Sequence, residues 1–264
     1  MSEGAAPFSH YSSVRLQQWG EHSGRVLLVH GLVSAGDETW AKQRPLADRW
    51  TLYVIDRRGY YPNPEIERED FEVDADDIAE LLAELGPLHL VGHSYGGVVC
   101  LLAAALMPDS VRSLALIEPP AFGAAMHEPD VEVFSSDLRA LFEEGPEGPD
   151  DFLRQFLELC GFRPKQDGPL PPPMLQHARL LQATRHPGEA VVPFEALRRA
   201  PFLKIVFSGG HNAAFDKVSD VIAEGIGAER DVVVGAGHAV QRTGAPFNER
   251  IERFWGDAEA ARAF

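Results

Sequence analysis

The feature of the sequence that most constrains the fold is a sharp turn between an apolar strand and a small-residue helix. The strand is predicted at residues 88–91, and the turn after it reads Gly92-His93-Ser94-Tyr95-Gly96. Glycines two residues before and after the serine permit a turn too tight for larger side chains, and they leave the serine in strained backbone geometry. The apolar run at 98–106 predicts a helix directly afterwards. A hydroxyl held in this context is typical of an enzyme with a serine nucleophile.

Strand and helix signals alternate along the chain, which predicts an α/β fold with a mostly parallel central sheet covered by helices on both faces. Residues 121–200 break this rhythm with apolar stripes at helical spacing. We therefore predict that residues 1–120 and 201–264 form the core and that residues 121–200 form a helical cap over the strand ends. Within the cap, the proline-rich run 168–173 is predicted to be extended. The last strand is predicted at residues 231–234.

Composition argues against several classes of partner. The formal net charge is −16, so phosphate backbones and anionic lipid surfaces would be repelled, and neither a nucleic-acid nor a membrane partner is expected. No basic start followed by an apolar stretch opens the chain, and no apolar run is long enough to span a bilayer, so a cytoplasmic protein is expected. The two cysteines, Cys100 and Cys160, form no disulfide framework and show no metal-ligand spacing, so no metal is expected.

A serine hydroxyl is a poor nucleophile at neutral pH and needs a base, for which histidine is suited. Among ten histidines, His238 follows the last predicted strand on a glycine-rich loop. That loop reaches the same edge of a parallel sheet as Ser94. We predict Ser94 as nucleophile and His238 as general base, with the backbone amides of Leu32 and Tyr95 binding the developing oxyanion. His93 is predicted to point away from the pocket, because neighbours at a tight turn diverge.

The serine turn, His30-Gly31, the run Asp56-Arg57-Arg58-Gly59-Tyr60 and Gly237-His238 together resemble the α/β-hydrolase superfamily, in its branch with a serine nucleophile and a helical cap. The resemblance covers nearly the whole chain outside residues 121–200. It implies a catalytic acid after the strand that follows the cap, where an aspartate is usual. This chain reads Ser208-Gly209-Gly210-His211-Asn212 there. An amide can fix a histidine tautomer but cannot stabilise the imidazolium, and such a replacement costs roughly 10⁴ in rate in a serine triad.

A carboxylate is then required elsewhere. Glu118 ends the strand predicted at 113–117, the position at which some branches of the superfamily, the haloalkane dehalogenases among them, carry the acid. Two prolines follow Glu118 and would fix its direction. Asp216, four residues beyond Asn212, is the alternative acid, although it also fits a structural place in the first turns of a helix. Glu118 is the favoured candidate.

These residues predict a serine hydrolase that cleaves a small or medium-sized, largely neutral ester through an acyl-enzyme, with no cofactor. Apolar residues of the cap are predicted to line the substrate pocket, namely Phe122, Met126, Phe134 and Phe156. Other chemistry at the same serine stays open: carbon–carbon bond hydrolysis, lactone opening, thioester hydrolysis and perhydrolysis. A non-catalytic ligand-binding protein and an acyltransferase are further alternatives. The sequence carries no signal of an oligomeric state.

Overall fold

A computed structural model describes residues 9–11, 14–162 and 169–262. Its strands are β1 (Ser9–Tyr11), β2 (Val14–Trp19), β3 (Arg25–Val29), β4 (Thr51–Asp56), β5 (Leu88–His93), β6 (Val111–Ile117), β7 (Leu203–Ser208) and β8 (Glu229–Val232). They form one sheet in the order β1-β2-β4-β3-β5-β6-β7-β8. β2 pairs antiparallel with β1 and with β4, and all the other pairs are parallel. The predicted α/β fold with a mostly parallel sheet is confirmed.

Helices connect the strands and cover the sheet. Those in the described part of the chain are α1 (Gly36–Thr39), α2 (Phe71–Leu85), α3 (Tyr95–Leu106), α4 (Pro129–Glu144), α5 (Pro149–Leu159), α6 (Pro172–Gln182), α7 (Phe194–Arg199), α8 (Ala213–Ile226) and α9 (Ala245–Arg262). Short 3-10 helices lie at Ala41–Asp48, Pro108–Ser110, Phe122–Ala125, Pro187–Glu189 and Val240–Thr243. No helix of the described ranges combines the length and the apolar character that crossing a bilayer requires.

Alternate residues of the central strands pack into two apolar clusters on opposite faces of the sheet. In β3, Leu27 and Val29 join the cluster that includes residues of α2, α3 and α8. Val26 and Leu28 of the same strand join the second cluster, which includes residues of α9. Burial on both faces is what a parallel sheet requires of its strands, and β5 is buried at every residue. The carboxyl ends of the central strands are therefore firmly held.

Helices α4 to α7 lie between β6 and β7 in the chain, within the segment predicted to be the cap. α4 packs against α8 of the core, and a separate apolar cluster joins α4, α5 and α6 to one another. α6 begins at Pro172, so the prediction of an extended run is wrong at Pro172 and Pro173. Proline suits the first turn of a helix, because that position needs no amide donor. Residues 163–168 lie outside the described part of the chain.

The last strand also differs from its prediction, because β8 ends at Val232, two residues early. Val234 is 85% exposed, and Gly235 has a φ angle of 82°. The amides of Val233 and Gly235 still donate to the Ser208 and Gly209 carbonyls, at 2.8 and 3.1 Å, so the chain stays beside the end of β7 until it turns at Gly235. Alternating residues at 12–19 also predict a half-exposed strand; residues 14–19 form β2, and residues 12 and 13 are outside the described residues.

Candidate active site

Ser94 lies at the turn between β5 and α3, with backbone angles of φ 53° and ψ −127°. Its amide donates to the Ile117 carbonyl at 2.8 Å, so the sheet hydrogen bonding continues one residue beyond the strand. The flanking glycines are required by packing. A Cβ at Gly92 would lie 2.4 Å from the Gly96 carbonyl oxygen, and one at Gly96 would lie 2.4 Å from the His30 carbonyl oxygen. Only a chain without these side chains can close the turn.

The side chain of His238 joins the serine to a carboxylate. Its Nε2 lies 2.9 Å from the Ser94 Oγ, and its Nδ1 lies 2.6 Å from Glu118 Oε2. All three side chains are buried. The other candidate acid, Asp216, instead accepts a hydrogen bond from the Ser208 hydroxyl and lies 3.5 Å from the Arg230 guanidinium. The structure thus brings Glu118 to His238 and gives Asp216 different partners.

Glu118 is held rigidly at the end of β6. Its φ angle is 47°, uncommon for a residue with a side chain, and its amide donates to the Phe207 carbonyl at 2.9 Å. Glu118 Oε1 accepts a hydrogen bond of 2.7 Å from the Gly209 amide. Burial raises the pKa of Glu118, but the contacts with His211 and His238 outweigh it and hold the pKa at about 2. The carboxylate is therefore charged at neutral pH and can stabilise an imidazolium.

The loop that carries His238 packs directly on the loop after β7. A Cβ at Gly209 would lie 2.1 Å from the carbonyl oxygen of Gly237. His93 Nε2 donates to the His238 carbonyl at 3.2 Å, and burial lowers the pKa of His93 to about 3, so this ring is neutral. His93 also lines the cavity beside the serine. The prediction that it points away from the pocket is wrong, because its ring turns toward the His238 loop.

Leu32 and Tyr95, the two predicted oxyanion residues, both lie near Ser94. Tyr95 is the first residue of α3, and first-turn amides have no acceptor within their own helix. A Cβ at Gly31 would lie 2.8 Å from the Ser94 Cβ, so the loop after β3 packs directly against Ser94. Leu32, on that loop, lines the cavity together with Ser94. Amides on both sides of a reacting carbonyl are what an oxyanion site needs.

Beneath this loop lies the buried side chain of Arg57. Its guanidinium donates to the carbonyls of His30 and Gly31, at 3.1 and 2.9 Å. The same group forms ion pairs with Glu69 and Asp74. Asp74 also lies 3.6 Å from the Arg58 guanidinium, so two cations face the two carboxylates. Unpaired buried charges would be costly, and this pairing lets Arg57 fix the loop backbone. The run that begins at Asp56 therefore has a structural role here.

A cavity of about 550 Å³ opens beside Ser94 and His238, and Phe156 is part of its wall. Phe156 also borders a smaller cavity of about 20 Å³, which Ser94, Phe122 and Phe134 line with it. Met126 lines a separate cavity of about 340 Å³ and is 38% exposed. Against the prediction, Met126 is thus not beside the serine. The turn Phe122–Ala125 directs Phe122 inward, whereas Met126 emerges toward solvent.

Charged groups in the wall of the larger cavity are offset by neighbours. Arg242 donates to Glu38 at 3.3 Å, and both line the cavity. Arg154, also in the wall, lies 3.8 Å from Asp151. Burial raises the pKa of the Cys160 thiol, another wall residue, to about 12. The thiol is therefore protonated at neutral pH and does not compete with the serine as a nucleophile.

Two residues beside Glu118 are not predicted from the sequence, in which Asn212 marks the departure from the usual acid pattern after β7. Asn212 caps α8, its side chain accepting from the Ala214 amide at 2.9 Å. The missed residues are Gly209, whose amide binds Glu118, and His211, whose Nδ1 lies 3.3 Å from Glu118 Oε1. The signal for His211 in the sequence is its place directly before position 212, where the family usually carries the acid.

The same cluster is where a metal ion could be held. Among the described residues, Glu118, His211 and His238 each offer one ligand atom, all within 4.8 Å of one another. The His238 nitrogen that faces this cluster is Nδ1, so an ion bound there would replace the direct contact between His238 and Glu118. The expectation that no metal or cofactor is needed stays a prediction.

The chain is similar to one protein family over most of its length. The sequence model of the alpha/beta hydrolase family matches residues 26–250. The dihydrolipoyllysine-residue acetyltransferase component of the acetoin cleaving system of Cupriavidus necator is 32% identical over 126 residues, which is 47% of this chain and 34% of that protein. The serine hydrolase BPHL of Mus musculus is 33% identical over 108 residues, 38% of this chain and 37% of that protein. The matches therefore span about a third of the length of each of these relatives.

A solved structure shows the same fold over nearly the whole chain. A thermophilic esterase from Thermogutta terrifontis superposes with a TM-score of 0.64 at 22% identity, covering 93% of each chain. At this identity the likeness speaks for the fold alone. The family match, in contrast, spans most of the chain and includes the serine turn, Glu118 and His238. The chain belongs to the α/β hydrolase family.

Proposed function

We propose that the protein is a serine hydrolase that cleaves small or medium-sized, largely neutral carboxylic esters through an acyl-enzyme. One observation carries this proposal: a buried, continuous line of contacts runs from Glu118 through His238 to Ser94, at 2.6 and 2.9 Å. A nucleophile bound to a base, which is itself bound to an orienting acid, is the arrangement that activates a serine.

In the proposed reaction the Ser94 Oγ attacks the ester carbonyl carbon while His238 Nε2 takes the hydroxyl proton. Glu118 stabilises the resulting imidazolium, and the amides of Leu32 and Tyr95 bind the oxyanion. His238 then gives its proton to the leaving alcohol as the ester C–O bond breaks, which leaves the acyl group on Ser94. A water molecule, deprotonated by His238, then attacks the acyl-enzyme. His238 returns this proton to the Ser94 Oγ as the bond between Oγ and the acyl carbon breaks, which releases the carboxylic acid and restores the free serine.

The cavity supports the proposed substrate class. A volume of about 550 Å³ falls within the range of small-molecule sites, roughly 300–1,000 Å³. Much of its wall is apolar, with contributions from Leu153, Phe156, Leu157 and Met174. The charged wall residues have partners of opposite charge, which favours a neutral ligand. The names of two similar proteins, a serine hydrolase and an esterase, are consistent with this reaction class.

The test is the substitution Ser94→Ala, assayed with p-nitrophenyl butyrate. We expect hydrolysis to fall by at least about 10⁴-fold, because the attacking group is gone. A fluorophosphonate probe should label the wild-type protein at Ser94 and should leave the variant unlabelled. Ser135→Ala is the matched control. Ser135 is also buried but lies in α4, and this variant should keep activity within about twofold.

Two results would contradict the proposal. Ester hydrolysis that survives in the Ser94→Ala variant would show that another group performs the chemistry. A folded wild-type protein that neither hydrolyses esters nor reacts with the probe would instead favour the non-catalytic ligand-binding alternative. Circular dichroism of each protein establishes that it is folded.

A further inference from the structure

The chain makes a strained turn directly after Leu32, one of the two proposed oxyanion residues. Val33 has a φ angle of 78°, which is rare for any residue with a side chain and most unfavourable for one branched at Cβ. The amide of Ser34 donates to the Leu32 carbonyl at 3.0 Å, across a single residue. These two features are those of a γ-turn of the uncommon type with positive φ. Such a conformation persists only where neighbouring groups impose it.

A buried histidine of α6, in the predicted cap, holds this turn. His177 donates from Nδ1 to the Val33 carbonyl at 2.9 Å. Its Nε2 accepts a hydrogen bond of 3.2 Å from the Tyr61 amide. Because a carbonyl oxygen accepts and an amide donates, the two contacts fix a neutral ring with its proton on Nδ1. Burial lowers the pKa of His177 from its ordinary value, which favours the same neutral form.

The loop after β3 is therefore held from two directions. Arg57, on the loop after β4, donates to the carbonyls of residues 30 and 31, at 3.1 and 2.9 Å. His177 holds the Val33 carbonyl from α6. Leu32 lies between these fixed points, so the direction of its amide depends on both of them.

The neighbouring residue of α6 attaches the helix at a different place. Gln176 Nε2 donates to the carbonyls of Gly59 and Asn63, at 2.8 and 3.2 Å. Both acceptors belong to the loop after β4. A contact of this kind is sufficient to attach α6 to the sheet, whereas His177 reaches the strained residue itself. The two residues thus allow attachment of the helix to be separated from control of the turn.

We propose that His177 is a positioning residue, which holds the strained turn at Val33 and thereby keeps the Leu32 amide directed at the oxyanion. This inference rests on the proposed function. An oxyanion donor is most effective when its position is fixed before the reaction, because the protein then needs no rearrangement as charge develops. The oxyanion site is therefore complete only while α6 is bound to the loop. The predicted cap thus contributes to the chemical step as well as to the cavity wall.

Three substitutions separate the hydrogen bond to Val33 from the packing of the ring. His177→Asn places an amide NH₂ near the position of Nδ1 and can keep the bond. His177→Gln places its amide near the position of Nε2 and loses the bond. His177→Phe keeps a ring beside Tyr60, whose ring centroid lies 4.8 Å from that of His177, but loses both hydrogen bonds. Gln176→Met is the matched control, because it removes two contacts that the same helix makes with another loop.

The first measurement is of kcat and KM for p-nitrophenyl butyrate. Complete loss of one oxyanion donor costs about 10²–10³ in kcat, so displacement of one should cost roughly tenfold to a hundredfold. We expect this loss in His177→Gln and His177→Phe, with KM changed by less than about threefold, because the oxyanion forms only in the transition state. His177→Asn and Gln176→Met should both keep kcat within about threefold of the wild type.

The second measurement needs no turnover. The amide of Ser34 closes the turn, and its hydrogen exchange with solvent can be followed by NMR. Exchange should be at least about tenfold faster in His177→Gln and His177→Phe than in the wild type, and unchanged in His177→Asn and Gln176→Met. If exchange follows this pattern in a protein that hydrolyses no ester, the hold of His177 on Val33 stands and the proposed function fails.

Several outcomes overturn the inference. Wild-type kcat in His177→Gln and His177→Phe would show that the turn holds without the histidine. An equal loss in Gln176→Met would indicate general attachment of α6, and a phenylalanine variant more active than the asparagine variant would indicate packing alone. If the His177 variants do not fold, NMR of the His177 ring nitrogens in the wild type decides. A proton on Nδ1 and none on Nε2 is expected at neutral pH, and any other form of the ring contradicts the proposal.

Discussion

Replacing Glu118 with glutamine should disable His238 by reversing its tautomer. The Oε1 position accepts a hydrogen bond from the Gly209 amide and faces His211, and both neighbours favour an oxygen there. The amide oxygen of glutamine would therefore occupy the Oε1 position, and its NH₂ group would face His238 Nδ1. His238 must then carry its proton on Nε2, which points at Ser94. In that tautomer the ring cannot take the serine proton.

The expected loss of kcat has two causes: the wrong tautomer of His238 and the missing negative charge at position 118. An acid-to-amide replacement in another Ser-His-Asp triad lowers kcat by about 10⁴. At about 1.4 kcal/mol per tenfold, the barrier rises by roughly 5 kcal/mol. Glu118 is fully buried behind His238 and does not line the substrate cavity. We therefore expect kcat to fall about 10⁴-fold while KM changes by no more than a few fold.

Steady-state kinetics with p-nitrophenyl butyrate measure both constants. Asp216→Asn is the matched control, because Asp216 was the alternative acid and contacts Ser208 and Arg230 instead. It should lose less than about threefold in kcat. The reasoning is refuted if the Glu118→Gln variant, folded by circular dichroism, keeps more than about a hundredth of the wild-type kcat. An equal loss in both variants would also refute it.

Two further predictions concern stability and substrate size. The pKa of Glu118 is about 2 in the folded protein, against an ordinary value of 4.5. Ionisation of Glu118 therefore stabilises the fold by about 3 kcal/mol above pH 4.5, and this contribution is lost as the pH falls toward 2. Urea unfolding of wild type and Glu118→Gln should show a free-energy difference that shrinks across this range; a constant difference would contradict it. Phe156→Ala should enlarge the cavity and shift preference toward longer acyl chains, as measured by kcat/KM over a p-nitrophenyl ester series. Phe122 is only 1% exposed, so Phe122→Ala should instead lower the free energy of unfolding by about 3–5 kcal/mol. If both variants changed chain-length preference and stability equally, the assignment of Phe156 to the cavity and Phe122 to the core would be contradicted.

The fold could be predicted from the sequence wherever a residue pattern is compatible with only one type of secondary structure. The apolar run into the serine turn predicted a buried strand, and β5 is buried at every residue. Boundaries depend on weaker signals. Pro172 was expected to prevent a helix but starts α6, because proline is disfavoured inside a helix and accepted at its first turn. Residue types alone do not distinguish these two positions.

The site residues at the ends of strands could also be predicted from the sequence. Glu118 ends the strand that neighbours the serine strand, and adjacent parallel strands bring their carboxyl ends to one edge. The contact of His211 with Glu118 was not accessible, because it depends on the conformation of the loop after β7. The separation of Met126 from the serine likewise depends on how the turn after β6 directs its side chains.

Ser94 and Glu118 share a strained backbone conformation, which the glycine-flanked turn predicts for Ser94 and which no sequence pattern indicates for Glu118. Both have positive φ angles, 53° and 47°, although neither is glycine. Each also continues the sheet by one amide hydrogen bond, to the Ile117 and Phe207 carbonyls. A conformation of this kind costs of order 1–3 kcal/mol and persists only where the surroundings impose it. The two strained residues follow adjacent strands, and both side chains contact His238. The strain is therefore located where the proposed reaction needs a fixed geometry. The packed core of the sheet holds both residues in this conformation.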